Sequence, residues 1–218
     1  GRSKPKPAMS LKQTEALLAE LAQQCSNCQA CPLAKERHQV VVGRGNPKAR
    51  LMLIGEAPGQ KEDLCGEPFR GRAGQLLEQM LEEAGLCSNN DLYICNVIKC
   101  RPPGNRKPSS TEISQCLPWL EGQIELINPG LILLAGATAV SAVLGIKGKL
   151  GLQRGHWHQK QERFYRAIFH PSYLLRFASL AADSPRQLTR QDLSEACAQL
   201  RKGDEMCHGL ARTPANTP

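Results

Sequence analysis

Ten cysteines in a chain of 218 residues are the most reactive side chains of this sequence. Cys28 and Cys31 are separated by two residues, and Cys100 and Cys116 by 15. Four thiolates so spaced suit a tetrahedral zinc ion or an iron–sulfur cluster, and the spacing alone does not decide between them. Cys25 precedes the first pair by another two-residue step and is a further candidate. We expect the other cysteines to be small buried side chains: Cys65, Cys87, Cys95, Cys197 and Cys207.

A second group of polar residues follows predicted strands. Residues 56–59 come directly after the apolar run 50–54, Asn96 lies at the end of 92–97, and His170 follows 164–169. Gly136 stands in the same way after 131–135. Because the carboxyl ends of parallel strands meet at one edge of a sheet, where ligands bind, these four segments are predicted to form one pocket.

The elements that must position these residues alternate along the chain. Apolar runs predict strands at 50–54, 92–97, 131–135 and 164–169, with a shorter one at 39–42. Helical spacing of apolar residues predicts helices at 11–24, 74–84, 109–127, 138–144 and 188–201. This alternation predicts a three-layer α/β/α fold with a central, mostly parallel four-stranded sheet. We expect one domain over 11–202, a flexible basic tail at 1–10 and a polar, disordered tail at 203–218.

Charge and hydropathy narrow the class of partner. Lys and Arg exceed Asp and Glu by 28 to 20, which gives a net charge of +8 and favours nucleic acid as a partner. No apolar run has the roughly 20 residues of a membrane helix, and the basic start lacks the apolar segment of a secretory signal. We therefore expect a monomeric cytoplasmic protein, associated with the nucleoid in a prokaryote.

The glycine-rich stretch 55–63 does not match the common nucleotide-binding motifs. It lacks both the GxxxxGK[ST] phosphate loop and the GxGxxG dinucleotide signature. Instead, GEAPGQKEDLCGEPFRGRAGQLL (55–77), NVIKCRPPGNRKP (96–108) and HPSYLLR (170–176) resemble the signature blocks of the family 4, iron–sulfur uracil-DNA glycosylases. CQACPLAKERHQVVVGRGNP (28–47) resembles the region that supplies that family's first two cluster ligands.

This resemblance implies one 4Fe–4S cluster, a uracil-glycosylase fold and hydrolytic release of uracil from single- or double-stranded DNA. It implies Cys28, Cys31, Cys100 and Cys116 as the cluster ligands, tying the N-terminal segment to the basic loop after Asn96. The uracil pocket would then do its chemistry without the cluster. The residues implied to contact uracil are Glu56, Ala57, Gly59, Phe69, Asn96 and His170.

Each implied pocket residue has a chemical role. Phe69 would stack on the flipped base, and the amide of Asn96 matches N3–H and O4 of uracil but not cytosine. His170 would donate to O2 as that oxygen gains charge. A carboxylate must steady the sugar cation and orient water. Among the candidate acids Glu56, Glu62 and Asp63, the resemblance favours Glu62.

The surface around the pocket is predicted to hold DNA. The resemblance places Ser172, Leu174 and Arg176 in a minor-groove loop, with Leu174 filling the gap left by the flipped base. Basic residues near the signature blocks would contact phosphates: Arg70, Arg72, Lys99, Arg101, Arg106, Lys107 and Arg176. A non-catalytic DNA-binding protein with a structural iron–sulfur or zinc site is the main alternative, and a redox carrier is a third.

Overall fold

Six strands form a single sheet in the computed structural model, which describes residues 7–210, with side chains up to Asp204. They are β1 (Arg44–Gly45), β2 (Leu51–Gly55), β3 (Leu92–Asn96), β4 (Leu131–Ala135), β5 (His158–Lys160) and β6 (Arg163–Ile168). Their order across the sheet is β1-β3-β2-β4-β6-β5. The four central strands are parallel, and the short strands β1 and β5 pair antiparallel at the two edges.

The helices cover both faces of this sheet. They are α1 (Leu11–Ser26), α2 (Gln60–Cys65), α3 (Arg72–Glu83), α4 (Ser88–Asp91), α5 (Ser110–Ile127), α6 (Ala137–Leu144), α7 (Leu150–Gln153), α8 (Pro171–Arg176) and α9 (Pro185–Leu210). Two 3-10 turns lie at Pro32–Lys35 and Pro103–Asn105. None of the helices in the described part of the chain has the length and apolar character needed to cross a membrane.

Alternate residues of the central strands point to opposite faces, which divides the core in two. Met52 and Ile54 of β2 pack with α1, α5 and α6, whereas Leu51 and Leu53 pack with α3, α8 and α9. All five residues of β2 are buried, as expected for a parallel strand covered on both sides. The predicted α/β/α class is therefore confirmed, with two more strands than predicted.

Two predicted boundaries are wrong. Residues 39–42 are not a strand, because the N–H of Val41 donates to the carbonyl of Lys99 and the carbonyl of Val42 accepts from the Gln123 side chain. Helix α9 continues to Leu210, past the point at 203 where we predicted a disordered tail. Arg50 anchors this extension by donating to the Leu200 carbonyl and the Asp204 carboxylate. Residues 1–6 and 211–218 of the predicted tails lie outside the described part.

The prediction for the isolated cysteines is only partly right. Cys95 is fully buried in the core and Cys197 is half-buried. Cys65 and Cys87 are exposed, since they lie at the ends of short helices: Cys65 is the last residue of α2, and Cys87 directly precedes α4. The side chain of Cys207 lies outside the described residues.

Candidate functional site

A cleft of about 560 Å³ opens at the carboxyl ends of the central strands. It brings together three of the four segments that the strand-end pattern predicts: the segment after β2, the last residue of β3 and the segment after β6. Gly136, after β4, does not line this cleft and lines a neighbouring groove instead. Of the residues expected to contact uracil, all six line this cleft: Glu56, Ala57, Gly59, Phe69, Asn96 and His170.

The floor of the cleft depends on Gly55. The register of β2 and β3 pairs Gly55 with Asn96. A Cβ at Gly55 would lie 2.5 Å from Asn96 Oδ1 and 2.5 Å from Phe69 Cζ. Only glycine therefore lets the amide and the aromatic ring approach each other across the strand end.

Asn96 carries an unpaired acceptor in this cleft. Its side chain is nearly inaccessible, since the residue is 2% exposed. Within residues 7–204, no donor reaches the buried Oδ1 atom. A buried acceptor without a partner costs about 1–3 kcal/mol, so this oxygen is set to receive a donor from a ligand.

Phe69 is held in a strained conformation by Glu62. Its φ of 55° is in the left-handed region, which an aromatic residue adopts only when its surroundings impose it. Glu62 Oε2 accepts from the N–H groups of Arg70 (3.1 Å) and Gly71 (2.6 Å), and Oε1 accepts from that of Gly59 (3.0 Å). Three backbone donors therefore occupy the carboxylate that we predicted to orient water.

Of the two acids, Glu56 accepts fewer hydrogen bonds than Glu62. Its Oε2 accepts one hydrogen bond, from Thr138 Oγ1 of α6 at 2.5 Å. The residue is half-buried at the cleft wall, and among the described residues its Oε1 has no hydrogen-bond donor. Sequence reasoning missed Thr138, although its place two residues after the strand-end Gly136 was a usable signal.

The orientation of His170 follows from its contacts. The backbone N–H of Ser172 donates to His170 Nδ1 at 3.1 Å, so Nδ1 is an acceptor and the proton of the neutral ring is on Nε2. Burial lowers the pKa of His170 to about 4, while Glu62 acts in the opposite direction. The ring lies 5.6 Å from that of Phe69. Near neutral pH the site thus holds a neutral imidazole with an Nε2–H donor.

Lys99 is not a phosphate contact, contrary to our prediction. The residue is 1% exposed, and its ammonium donates to the Asn96 carbonyl oxygen at 2.6 Å and to Gln123 Oε1 at 2.5 Å. Its own backbone N–H donates to Cys116 Sγ at 3.3 Å. These three contacts were not recognisable from the sequence. Gln123 and Cys116 are distant from Lys99 in the chain, and the contact with Asn96 is to its backbone oxygen.

The other basic residues surround the cleft. Arg72 and Arg106 line it, and Lys107 is exposed beside them. Arg106 also forms a two-point ion pair with Glu112 at 2.7 and 2.8 Å, which lowers the pKa of Glu112 to about 2. Arg101 donates to Asn105 in the same loop. These contacts hold the loop between β3 and α5 against the first turn of α5.

The predicted groove-filling residue is buried instead. Leu174 is 1% exposed and packs in the core beneath α8, because the loop after His170 is helical and turns that side chain inward. Ser172 and Arg176 are exposed on the same helix, and Ser172 lines the cleft. Arg70 is half-buried and ion-paired with Glu67. Because Leu174 is buried, the prediction that its side chain fills the gap left by the flipped base is wrong.

The cysteines meet in a second cavity, away from the cleft. The four predicted ligands line it, and so does Cys25, which α1 buries completely. The cavity is narrow, about 10 Å³, and its other walls are mainly apolar and include Leu33, Val40 and Ile98. Thiol side chains from α1, the following turn, the loop after β3 and α5 thus converge on one space.

Nitrogen donors point at three of these sulfurs. Besides the backbone N–H of Lys99 at Cys116, the indole N–H of Trp119 lies 3.4 Å from Cys28 Sγ. Arg37 donates to Cys100 Sγ at 3.6 Å. Such donors stabilise thiolates bound to iron and tune cluster potentials. Burial raises the pKa of Cys25 to about 12 and that of Cys100 to about 11, so both are protonated thiols near neutral pH when no metal is bound.

The cysteine cavity, as the described residues form it, does not present a preformed site for a single metal ion. In the described part of the chain, no group of three or more His, Cys, Asp or Glu side chains is close enough to hold one metal ion. The ligands of a cubane cluster bind four different irons, so their sulfurs stand farther apart than ligands of one zinc ion. The converging thiols, their N–H donors and the enclosed space between them are consistent with a cluster.

Comparison with known proteins identifies related chains. Residues 42–194 match the family model described as "Uracil DNA glycosylase superfamily". A type-4 uracil-DNA glycosylase of Thermotoga maritima is 42% identical over 86% of this chain and 97% of its own length. One of Pyrobaculum aerophilum is 37% identical over 78% of this chain and 91% of its own. A type-5 uracil-DNA glycosylase of Thermus thermophilus is 31% identical over 54% of this chain and 67% of its own.

Proposed function

The chain belongs to the uracil-DNA glycosylase superfamily and to its type-4 enzymes, and from that premise we propose that it releases uracil from DNA. It acts in base-excision repair as a hydrolase of N-glycosyl bonds. The bond between uracil N1 and the sugar C1′ breaks and uracil leaves as an anion with the electron pair. Water then adds to C1′ and releases a proton, which neutralises the uracil anion. The product is free uracil and an abasic site.

The orphaned oxygen of Asn96 is the observation that carries this proposal. A uracil flipped into the cleft presents N3–H as the donor that Oδ1 lacks, and its O4 accepts from Nδ2. Cytosine has no hydrogen at N3 and an amino group at C4, so it leaves both amide groups unpaired at about 1–3 kcal/mol each. The ring of Phe69 forms the stacking surface of the same pocket.

His170 stabilises the leaving group. As the bond to N1 breaks, negative charge spreads onto uracil O2, and the Nε2–H of His170 donates to it. Ser172 keeps that hydrogen on Nε2, because its backbone N–H occupies Nδ1. The low pKa keeps the ring neutral, so the hydrogen bond forms without a proton leaving the histidine.

We assign the two acids different roles. Glu56 has a free oxygen at the cleft wall and holds the attacking water while its charge steadies the sugar cation. Glu62 holds the Phe69 loop through three backbone N–H groups and adds a second negative charge near the reaction centre. The sequence resemblance favoured Glu62 for orienting the water, whereas we assign that role to Glu56.

The basic residues near the cleft bind DNA, and the cysteines stabilise the fold. The basic residues bind the phosphates of single- or double-stranded DNA, and Ser172 contacts DNA beside the reaction site. Arg72, Arg106, Lys107 and Arg176 are exposed, whereas Arg70 and Arg101 are half-buried. Cys28, Cys31, Cys100 and Cys116 would hold one 4Fe–4S cluster, which when bound cross-links the N-terminal segment to the loop after Asn96. We further propose that the protein is monomeric and works in the cytoplasm at the chromosome.

A uracil-release assay tests the function. The purified cluster-containing protein should release uracil from single-stranded DNA, from U·G duplexes or from both, and Asn96→Ala should lose at least tenfold in kcat/KM for the loss of its base contacts. Asn89→Ala is the matched control, because that asparagine is exposed in α4 at the opposite edge of the sheet. Wild-type protein that binds DNA and releases no uracil would instead support a non-catalytic DNA-binding protein.

A further inference from the structure

A second groove, of about 580 Å³, lies on the other side of His170 from the uracil cleft. His170 lines both spaces and forms the wall between them. The groove runs between the start of α6, helix α7 and helix α8. Among the described residues that line it, Lys149 alone is charged at neutral pH. The groove is therefore apolar, faintly basic and continuous with the proposed reaction site.

Aromatic rings form one side of this groove. Phe169 and Tyr173 line it, and their rings are stacked at 5.3 Å with 17° between their planes. The ring of Phe177, outside the groove lining, lies 4.6 Å from that of Tyr173. Tyr173 is 40% exposed and Phe177 44% exposed. Across the groove, Leu152 of α7 is 82% exposed. A contiguous exposed apolar surface of this kind is typical of an interaction site.

The chemistry of the surface selects the flat face of a nucleobase. Aromatic side chains bind unpaired bases by stacking, which is tolerant of sequence because every base has a π face. The backbone of the same strand would pass Lys149 in the groove and Arg176 at the end of α8, both exposed cations. A strand with its uracil in the cleft continues past His170, and the groove is the first surface beyond that wall.

We propose that this groove binds the unpaired base next to the flipped uracil, with Tyr173 as the stacking platform and Leu152 as the opposite wall. The inference rests on the proposed uracil-releasing function and adds a subsite to it. Because the subsite accepts a base only after it has left its partner, it favours single-stranded DNA or a locally opened duplex. This gives α8 a role in strand binding although Leu174 is buried.

The test uses the full cluster-containing protein and a single-stranded oligonucleotide. The oligonucleotide carries a uracil nucleotide whose glycosidic bond resists hydrolysis, with fluorescent 2-aminopurine on one side of it or the other. Wild-type protein should quench 2-aminopurine on one side, and Tyr173→Ala should remove the quenching and weaken binding about tenfold. Tyr173→Phe should keep both, because it keeps the ring. Phe164→Ala is the control, since Phe164 is 40% exposed at the start of β6, at the opposite end of that strand.

The outcomes separate this proposal from the function on which it rests. Wild-type protein that releases no uracil from cleavable DNA overturns the function, whatever Tyr173→Ala does. Uracil release together with unchanged quenching and affinity in folded Tyr173→Ala overturns the subsite alone. Thermal melting of each variant identifies a folding defect, and in that case Leu152→Ala, at an 82% exposed position, must show the loss of quenching for the subsite to stand. A monomer–dimer shift in Tyr173→Ala without a change in DNA binding also overturns it.

Discussion

The ammonium of Lys99 donates a hydrogen bond to the backbone carbonyl of Asn96 at 2.6 Å, inside the protein core. The same residue donates its backbone N–H to Cys116 Sγ, and Cys100 follows it in the chain. Lys99 therefore connects the cysteine cavity with Asn96, the residue that we propose recognises the base. A change at either end can reach the other through one side chain.

Lys99→Met should damage both stability and base selection. Methionine fills a similar volume but leaves the Asn96 carbonyl and Gln123 Oε1 without their buried donor, at about 1–3 kcal/mol for each acceptor. We expect a lower free energy of unfolding, a higher KM for uracil-containing DNA and a smaller preference for uracil over cytosine. Denaturant unfolding and single-turnover release kinetics measure these changes. Lys107→Met, at an exposed position, is the control and should keep stability and selectivity.

Glu56→Gln and Glu62→Gln should fail in different ways. Glu56→Gln removes the charge that holds water, so kcat should fall about 10²–10⁴-fold with little change in melting temperature. Glu62→Gln replaces one acceptor oxygen by an NH₂ group facing a backbone N–H, which frees the Phe69 loop. Its melting temperature should fall and its KM should rise. Equal kcat losses with unchanged stability in both variants would contradict this division of roles.

The pH dependence should show no step at the ordinary histidine pKa. Because burial lowers the pKa of His170 to about 4, the neutral Nε2–H donor persists from pH 8 down to about 4. An unfolded histidine titrates near 6.5, so the unfolded chain binds the extra proton between these values. The neutral ring of His170 thus makes its full contribution to the unfolding free energy above pH 6.5, and that contribution is lost as the pH falls toward 4.

Profiles of kcat and of the unfolding free energy between pH 4 and 8 test both statements about His170. His170→Ala should lose about 10²–10³ in kcat, as for removal of one oxyanion donor, and should flatten the stability profile in this window. His156→Gln, at an exposed position outside the cleft, should leave both profiles as they are. A kcat inflection near 6.5 that disappears in His170→Ala would contradict the buried neutral ring.

Loss of a cluster ligand should reach the uracil pocket. Cys116→Ala should lower the iron content and the visible iron–sulfur absorbance, and hydrogen exchange should rise through 97–116 and at Asn96. The exchange at Asn96 follows from the Cys116–Lys99–Asn96 contacts, so uracil selectivity should fall with it. This departs from our expectation, drawn from the sequence, that the pocket is independent of the cluster. Cys87→Ala, exposed and remote, is the control, and Cys25→Ala shows whether the fifth thiol is needed for iron binding.

Leu174→Ala should act on stability rather than on DNA binding. Removing this core side chain should cost about 2–5 kcal/mol of unfolding free energy, as for other buried leucines. Leu175→Ala, on the exposed side of the same helix, should cost under about 0.5 kcal/mol. Calorimetry or denaturant unfolding measures both. If Leu174→Ala were as stable as the wild-type protein but bound duplex DNA more weakly, Leu174 would instead fill the gap left by the flipped base.

The central strands and the site residues at their ends were predictable because their signals are local. A five-residue apolar run such as 51–55 is buried on both faces wherever it lies in a parallel sheet, and its end meets the ends of its neighbours. That argument alone placed Asn96 and His170 in one pocket. The edge strands β1 and β5 were missed because two or three residues carry no periodicity, and their pairing depends on the neighbouring strand.

By itself, the sequence determined the α/β/α class, the family and the set of residues that meet at the cleft. Only the tertiary structure decided which of the predicted site residues are buried or already hydrogen-bonded: Lys99 beneath Asn96, Leu174 in the core and Glu62 on three backbone N–H groups. Strand and helix periods are properties of neighbouring residues. The burial, protonation and free lone pairs of a side chain depend on which distant segment packs against it, and these decide its chemistry.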